Sequence, residues 1–318
     1  MSLPASLQHL RLPVICAPMF IVSNPALVVA QCKSGIVGSF PALNARGDGA
    51  LNEWLTAIKA ELAADKAAGG HPAPFAVNQI VHPSNNRLAE DIGVCLAHQV
   101  PVFITSLQAP PKELVDGAHA YGGIVLHDVI NVRHAKKAIE AGVDGLILVA
   151  AGAGGHAGML SPFALVGEIR KFYDGLIVLS GSIATGDAIL GAQAMGADLA
   201  YMGTRFICTT EANADAAYKQ GIIDAAANDV IYTNLFTGVH GNYLRQSIAA
   251  AGLDPDDLPV ADKTKMNFGS GGNSAAKAWK DIWGVGQGVG LIDDAPSTAE
   301  LVNHLEREYQ AARMRLVL

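Results

Sequence analysis

The 318-residue sequence has little charge and lacks the signals of membrane, metal-binding and nucleic-acid-binding proteins. Only 16% of its residues are charged, the formal net charge is −7, and the basic residues form no cluster. Nucleic-acid binding depends on clustered lysine and arginine, so we expect no nucleic-acid partner. No apolar run approaches the roughly 18 residues that a membrane helix needs. No cleavable leader is recognisable either, so we expect a cytoplasmic protein without a membrane partner.

Cysteine is scarce and low-complexity linkers are lacking. Cys16, Cys32, Cys95 and Cys208 share no C-x-x-C spacing, so we expect reduced, buried thiols and no metal site. The lack of linkers favours one domain over two. What the sequence does contain is apolar residues, at 50%, and 34 glycines. This composition indicates a large buried core joined by many tight loops.

Short apolar segments recur along the chain with helical segments between them. The clearest helix candidate covers Asn131–Ala141, where Asn131 can cap the start and Gly142 can end the helix in the left-handed conformation. Similar patterns predict helices over Ala50–Ala68 and Thr185–Met195. Eight segments are strand candidates, namely Val14–Ala17, Ile36–Phe40, Phe75–Asn78, Val102–Ser106, Ile124–His127, Leu146–Ala150, Leu176–Ser180 and Leu199–Met202. This alternation predicts an α/β protein with a (β/α)8 TIM barrel, and a doubly wound sheet is the alternative.

The regular pattern stops after the eighth strand and resumes near the end of the chain. We predict that residues 1–210 and 275–318 form the barrel. A final helix from about Pro296 to Met314 belongs to it, and Ser297 and Glu300 have capping-box spacing at its start. Residues 211–274 are less regular, and we predict that they form an insertion, or a small subdomain, that covers the barrel mouth.

A glycine-rich stretch follows the sixth strand candidate. The apolar run of Leu146–Ala150 gives way to Gly152, Gly154 and Gly155, and the first large polar side chain after them is His156. Closely spaced glycines let a flat or anionic ligand approach the backbone. An imidazole on such a loop can donate a hydrogen bond or exchange a proton near neutral pH. The alternative is a flexible connection that carries one surface histidine.

Two further turns follow the seventh and eighth strand candidates. They contain Ser180, Gly181 and Ser182 in the first turn, and Gly203 and Thr204 in the second. The loops after these two strands often form a phosphate site in barrels, where backbone N–H groups face the anion. The matched pairs of glycine and hydroxyl residues therefore predict a phosphate-bearing ligand, although simple turns would have the same composition.

Other strand ends carry candidate ligand contacts. The Asn78 amide can both donate and accept, which suits the edge of a heterocycle, although Asn also forms ordinary turns. Met19 can pack against a flat ring, or it can be a plain rim residue. His127 and Asp128 could form an acid–base pair, but we favour a structural hydrogen bond.

Several segments together resemble the nitronate monooxygenase family of FMN-binding barrels, also called 2-nitropropane dioxygenase-like proteins. The segments are PVICAPM, PFAVN, AGAGGHAG, LSGSIATGDAILGAQAMGADLAYMGTRF and WGVGQGVGLIDD. They span most of the chain, and the correspondence is weakest over Ala212–Lys265. FMN-type enoyl-acyl-carrier-protein reductases and some NADH:quinone reductases are similar at the same segments.

The resemblance implies a noncovalent FMN across the carboxyl-terminal mouth of the barrel, with His156 as the catalytic residue. Some family members carry lysine where this chain has Asp128, and an acidic residue where it has Val149, so the charge around the flavin differs here. The residues that the resemblance and the strand ends assign to the cofactor are Ala17, Pro18, Met19, Asn78, Asp128, Gly154, Gly155, Ser180, Gly181, Ser182, Gly203 and Thr204.

The activity that the resemblance implies is the FMN-dependent oxidation of alkyl nitronates, or of nitroalkanes, by O2 to a carbonyl compound and nitrite. A protonated His156 would hold the nitronate oxygens, whereas a neutral one would remove the α-proton of a nitroalkane. The partners would be this small molecule and O2, with a homodimer left open. The alternatives are an NAD(P)H-dependent FMN reductase of quinones or enoyl thioesters, and a barrel that binds a phosphate-bearing ligand without redox chemistry.

Overall fold

The computed structural model describes residues 3–259 and 281–316. Within them, eight parallel strands form one sheet that curls into a ring, with helices in the connections between strands. In chain order the eight strands are β1 (Val14–Cys16), β2 (Gly38–Pro41), β3 (Phe75–Val81), β4 (Val102–Leu107), β5 (Ile124–Val129), β6 (Gly145–Val149), β8 (Leu176–Ser180) and β9 (Leu199–Met202). A shorter strand, β7, lies in a separate sheet.

The ring is nearly closed. Each strand pairs in parallel with the next one around the ring, and β1 meets β2 through a single bridge between Ile15 and Val37. A doubly wound sheet would reverse its strand order at a switch point, and no such reversal occurs in the described part of the chain. The predicted (β/α)8 TIM barrel is therefore confirmed.

Alternating burial explains why the strands are apolar on both faces. In β6, Leu146 and Leu148 pack against the surrounding helices, whereas Ile147 and Val149 face the interior of the barrel. Successive side chains of a strand point to opposite faces, and a barrel strand is covered on both sides. An uninterrupted apolar run is consequently the pattern of a barrel strand.

Several of the described helices begin at side-chain caps. Asn131 accepts a hydrogen bond from the N–H of His134 at 2.9 Å, and Gly142 follows the helix with φ +86°. Ser297 and Glu300 form the predicted capping box. The helices are α1 (Pro25–Lys33), α2 (Ala50–Ala67), α3 (Leu88–Ala97), α4 (Lys112–His119), α5 (Val132–Glu140), α6 (Pro162–Arg170), α7 (Gly186–Ala194), α8 (Thr204–Ile207), α9 (Ala216–Ile223), α10 (Arg245–Ala250) and α11 (Thr298–Leu316).

A second, three-stranded sheet lies outside the ring. It is antiparallel, and its strands are β7 (Gly155–His156), β11 (Gly241–Leu244) and β10 (Val230–Thr233). We call it the small sheet. His156 pairs with Gly241 in it, so the glycine-rich stretch after β6 is more ordered than a simple connection. The boundaries of the predicted insertion stay a prediction, and residues 260–274 of it lie outside the described residues.

The four cysteines are buried free thiols, as the sequence predicts. Burial raises the pKa of Cys32 to about 12, and it raises the pKa of Cys16 well above its ordinary value. Among the described helices, none combines the length and the apolar composition that crossing a membrane requires.

Candidate functional site

A cavity of about 470 Å³ opens at the carboxyl ends of the barrel strands. Its lining brings together every residue that the sequence predicts for cofactor binding or catalysis. These residues are Ala17, Pro18, Met19, Asn78, Asp128, Gly154, Gly155, His156, Ser180, Gly181, Ser182, Gly203 and Thr204. The convergence follows from the fold, because the ends of parallel strands meet at one rim of a barrel.

The glycine-rich turns meet at one side of this cavity. The carbonyl of Gly152 accepts hydrogen bonds from the N–H of Ser182 at 3.3 Å and from that of Gln287 at 2.9 Å. The N–H of Gly286 donates to Oγ1 of Thr204 at 2.9 Å. Turns after β6, β8 and β9 are therefore joined to a later segment of the chain. That segment was missed as part of the site, although its alternating glycines in WGVGQGVG were a signal for it.

The closeness of these turns explains why glycine is needed in them. A Cβ on Gly152, which has φ +84°, would overlap Oγ of Ser182. A Cβ on Gly286 would come within 2.6 Å of the Gly152 carbonyl oxygen. Ser182 itself has φ +58°, a left-handed conformation that costs a non-glycine residue about 1–2 kcal/mol. The turns are thus held close together by backbone groups with no side chain between them.

The first N–H group of α7 already has a partner within the protein. Its first N–H group, on Gly186, donates to Oε2 of Glu308 at 2.7 Å. Glu308 of the C-terminal helix α11 therefore accepts from an N–H group at the helix start, which in many barrels faces a phosphate. The two turns at residues 180–182 and 203–204 remain as the candidate anion cradle.

A chain of hydrogen bonds runs along the strand ends of β3, β4 and β5. Nδ2 of Asn78 donates to Oγ of Ser106 at 2.8 Å and to the carbonyl of Ile104 at 3.3 Å. Oγ of Ser106 in turn donates to Oδ2 of Asp128 at 2.6 Å. The Asn78 amide group therefore uses its donor within the protein, and its Oδ1 is the atom left for a ligand.

Asp128 is unusual because one of its carboxyl oxygens is buried without a partner. Oδ1 makes no hydrogen bond within the described residues. Burial raises the pKa of Asp128 to about 7, and the hydrogen bond from Ser106 lowers it only in part. The hydroxyl of Tyr201 is likewise buried without a hydrogen bond in the described part of the chain. Its pKa is raised well above the ordinary value by burial and by the nearby Asp128. Ser106 and Tyr201 were both missed from the sequence.

His127 has a structural role, as the sequence analysis favoured. Its Nδ1 lies 2.7 Å from Oγ1 of Thr105, and the residue is buried. Burial, and next the nearby His134, lower the pKa of His127 to about 4. Adjacent residues on a strand face opposite sides, so His127 points away from the cavity that Asp128 lines. An acid–base pair between these two residues is therefore absent.

His156 lies at the edge of the small sheet and is held by a threonine. Its Nε2 is 2.8 Å from Oγ1 of Thr237, which itself donates to the carbonyl of Val239 at 3.0 Å. The Thr237 hydroxyl is thus shared between the His156 ring and the backbone of the small sheet. Burial lowers the pKa of His156 to about 4. The ring is therefore neutral at pH 7.

The cavity has little positive charge. Arg46 is the one lysine or arginine among the described residues that line it, and it is exposed at the rim, 5.6 Å from the ring of Phe20. His134 also lines the cavity, and burial lowers its pKa. Within residues 3–259 and 281–316, no group of three histidine, cysteine, aspartate or glutamate side chains is arranged to hold a metal ion.

A family model for nitronate monooxygenases matches residues 3–308. The chain belongs to the nitronate monooxygenase family. It is thus a flavin-dependent oxidoreductase, and the resemblance noted from the sequence motifs is confirmed.

Individual relatives agree with this family membership. A nitronate monooxygenase of Paraburkholderia phytofirmans is 28% identical over 342 residues, which cover 93% of this chain and 92% of that protein. A (3aS,4S,5R,7aS)-5-hydroxy-7a-methyl-1-oxo-octahydro-1H-indene-4-carboxyl-CoA dehydrogenase of Rhodococcus jostii is 26% identical, covering 93% and 91%. The structure of a nitroalkane oxidase from Streptomyces ansochromogenes has a TM-score of 0.82 at 22% identity, covers 98% and 99% of the two chains, and shows the fold that they share.

The cavity of this nitronate monooxygenase family member fits a flavin by its own chemistry. Apolar residues at the end of β1 offer a surface for a flat ring, and the glycine turns leave room for a ligand close to the backbone. Two buried polar atoms, Oδ1 of Asp128 and Oη of Tyr201, have no hydrogen-bond partner in the described chain. A buried polar group without a partner costs free energy, so a ligand with polar edge atoms would stabilise both.

Proposed function

We propose that the protein binds FMN in this cavity and oxidises alkyl nitronates with O2 to a carbonyl compound and nitrite. The observation that carries the proposal is the convergence of His156, the glycine turns and the strand end of β1 on one cavity at the barrel mouth. When bound, FMN supplies the redox chemistry, accepting electrons from the nitronate and returning them to O2.

The phosphate of FMN would be held by the turns at residues 180–182 and 203–204. Two observations support this assignment. The turns lie together at one wall of the cavity, and backbone contacts fix them to Gly152 and Gly286. Met19 and its neighbours Ala17 and Pro18 would lie against the ring. Asn78 would accept a hydrogen bond from a ring N–H through Oδ1, because its Nδ2 already donates to Ile104 and Ser106.

His156 would act as a base and not as a cationic clamp. Its lowered pKa favours the neutral ring, and the contact with Thr237 fixes the orientation of the ring. The neutral ring can then remove the α-proton of a nitroalkane, which converts it into the nitronate. A nitronate has already lost that proton, so its oxidation would not need the base.

The decisive experiment begins with the visible spectrum of the purified protein and identification of the flavin that is released on denaturation. The protein is then mixed anaerobically with ethylnitronate or with NADH. Rapid bleaching of the flavin by ethylnitronate, with nitrite formed once O2 is admitted, is expected. A colourless protein that releases no flavin would contradict the proposal and would favour a phosphate-binding barrel without redox chemistry.

A second candidate is an NAD(P)H-dependent FMN reductase or dehydrogenase that acts on a quinone or a thioester. The similarity to the carboxyl-CoA dehydrogenase of Rhodococcus jostii favours it, since that relative covers the chain almost as fully as the nitronate monooxygenase does. Bleaching by NADH, with no bleaching by ethylnitronate, would select this candidate.

A further inference from the structure

The direction of each hydrogen bond in the Asn78–Ser106–Asp128 chain can be assigned. The carbonyl of Ile104 has no proton to give, so the Asn78 atom that faces it is the nitrogen Nδ2. Ser106 consequently accepts from Nδ2, and its single hydroxyl proton goes to Oδ2 of Asp128. Since Oδ2 is an acceptor, a proton on the Asp128 carboxyl group must sit on Oδ1. That is the oxygen without a partner.

The surroundings of Asp128 do not favour its charge. The neighbouring strands present the neutral Asn78 and Ser106, the apolar Ile147 in register with Asp128, and the hydroxyl of Tyr201. No cation is paired with the carboxyl group within residues 3–259 and 281–316. An unpaired carboxylate is costly in such a place, and burial brings the pKa of Asp128 to about 7.

Among the titratable groups that line the cavity, we expect Asp128 to be the one that changes its protonation state between pH 7 and pH 9. His156 has a pKa of about 4 and the pKa of His134 is lowered, so both rings are neutral above pH 7. Tyr201 has a raised pKa and keeps its proton up to pH 9. Burial also raises the pKa of Tyr218, which lines the cavity. Arg46 lies at the exposed rim.

We propose that Asp128 binds the flavin ring as a neutral acid, with the proton on Oδ1 donated in a hydrogen bond to an acceptor atom of the ring. The inference rests on the proposed position of the flavin in this cavity. It makes Asp128 a pH-sensitive contact in a place where some family members carry a lysine, because both a lysine and a protonated carboxyl group can donate. Loss of the Asp128 proton would replace this donor with a charge that no group in the described chain compensates.

The test is the pH dependence of riboflavin binding to flavin-free full-length protein, followed by quenching of riboflavin fluorescence between pH 6 and pH 9. Riboflavin is used because the phosphate of FMN titrates near pH 6 itself. We expect the Kd to be constant up to about pH 7 and then to rise toward tenfold per pH unit, because one proton must be taken up for binding. A flat profile in the wild type would overturn the inference, whatever the variants do.

Asp128→Asn is the matched variant, because the amide can accept from Ser106 and donate from the position of Oδ1. Its Kd is expected to stay within about threefold of the wild-type value at pH 6 and to be independent of pH up to pH 9. Asp116→Asn, which changes an exposed aspartate on α4, is the control and should retain the wild-type profile. A wild-type slope that persists in Asp128→Asn would contradict the assignment to Asp128.

A second readout observes the proton itself. Infrared difference spectra of the riboflavin complex at pH 8 should contain the C=O stretch of a protonated carboxyl group, and Asp128→Asn should lack it. Absence of that band from the wild-type complex would refute the neutral acid. If neither FMN nor riboflavin binds at any pH, the proposed function fails instead, so the two failures are distinguishable.

Discussion

The cavity has two polar sides that are built differently. Asp128, Ser106 and Asn78 lie on consecutive strands of the barrel, and each of them is held by a ladder of parallel strand pairs. His156 lies on a strand of two residues in the small sheet and depends on Thr237 and β11 for its position. The comparison suggests that the barrel fixes the ring-binding side, whereas the segment after the eighth barrel strand fixes the position of the base.

The two sides also differ in how burial affects their chemistry. Burial lowers the pKa of His156 and raises that of Asp128, so both side chains are pushed toward their neutral forms. The histidine thereby gains a lone pair for accepting a proton, and the aspartate gains a proton for donating. Burial in the same cavity thus favours a neutral histidine that can accept a proton and a neutral carboxylic acid that can donate one.

The largest effect is expected on the histidine side. His156→Asn should retain FMN but lose about 10²–10⁴-fold in nitroalkane turnover, because a positioned base is removed. Ethylnitronate turnover should fall much less. Steady-state rates with the two substrates, and the flavin content of the purified variant, give the comparison. His304→Asn, on the exposed face of α11, is the control. Equal losses on both substrates would refute the role as a base.

The turn that joins the two sides should be sensitive to a single methyl group. In Gly152→Ala the added Cβ meets Ser182 in a left-handed backbone conformation. We expect a cost of about 1–3 kcal/mol, which corresponds to a five- to 150-fold weaker binding of FMN. Fluorescence titration measures this Kd. Gly191→Ala adds a methyl group in open space on α7 and should leave the Kd unchanged. Unchanged FMN binding in Gly152→Ala would contradict the proposed cradle.

On the barrel side, Asp128→Asn should stabilise the flavin-free protein at pH 8. The full shift in pKa would correspond to about 4 kcal/mol, and we expect about 1–2 kcal/mol because Asp128 is only half-buried and faces an open cavity. The folded-state pKa of about 7 lies above the ordinary value of 3.8, so the contribution of Asp128 to stability is fully present below pH 4 and is lost as the pH rises to 7. The variant does not titrate. Urea unfolding at pH 4 and pH 8 should therefore show no difference at the lower pH and the full difference at the higher one. A constant difference would mean that the carboxyl group does not titrate in this range.

The smallest effect is expected from the support of the histidine. Thr237→Val removes the hydroxyl group that contacts Nε2 of His156, and we expect about a fivefold loss of nitroalkane turnover, equivalent to about 1 kcal/mol. Thr233→Val, which removes a hydroxyl group of β10 that accepts from the N–H of Leu235, is the matched control and should keep the wild-type rate. Comparable losses in both variants would mean that any change in the small sheet lowers the rate, and that the contact between Thr237 and His156 has no specific effect.

The barrel could be predicted from the sequence because each of its strands is locally encoded. The apolar run at Leu146–Ala150 and the caps at Asn131 and Thr185 require only neighbouring residues to be recognised, and the structure reproduces them. The strand ends then bring the predicted site residues together automatically, since parallel strands in a ring share one rim.

The parts of the site that were missed depend on contacts between distant segments. β7 contains a glycine and a histidine, neither typical of a strand, and it forms only because β11 lies beside it. The partnership of His156 with Thr237 joins residues 81 positions apart. Similarly, the donor of Asn78 is used by Ser106, which no local pattern reveals. Such pairings follow from the fold and not from local spacing.

The pairing of β7 with β11 has a consequence for how this enzyme could change. Strand β7 has only two residues, so it can separate from β11 without disturbing the strands of the barrel. Movement of β7 would shift His156 together with Gly155, which the proposed site assigns to the cofactor. Asn242 of β11 also donates to the carbonyl of Ala153 in the glycine-rich stretch. Variation around β11 would therefore alter proton removal and cofactor fit together.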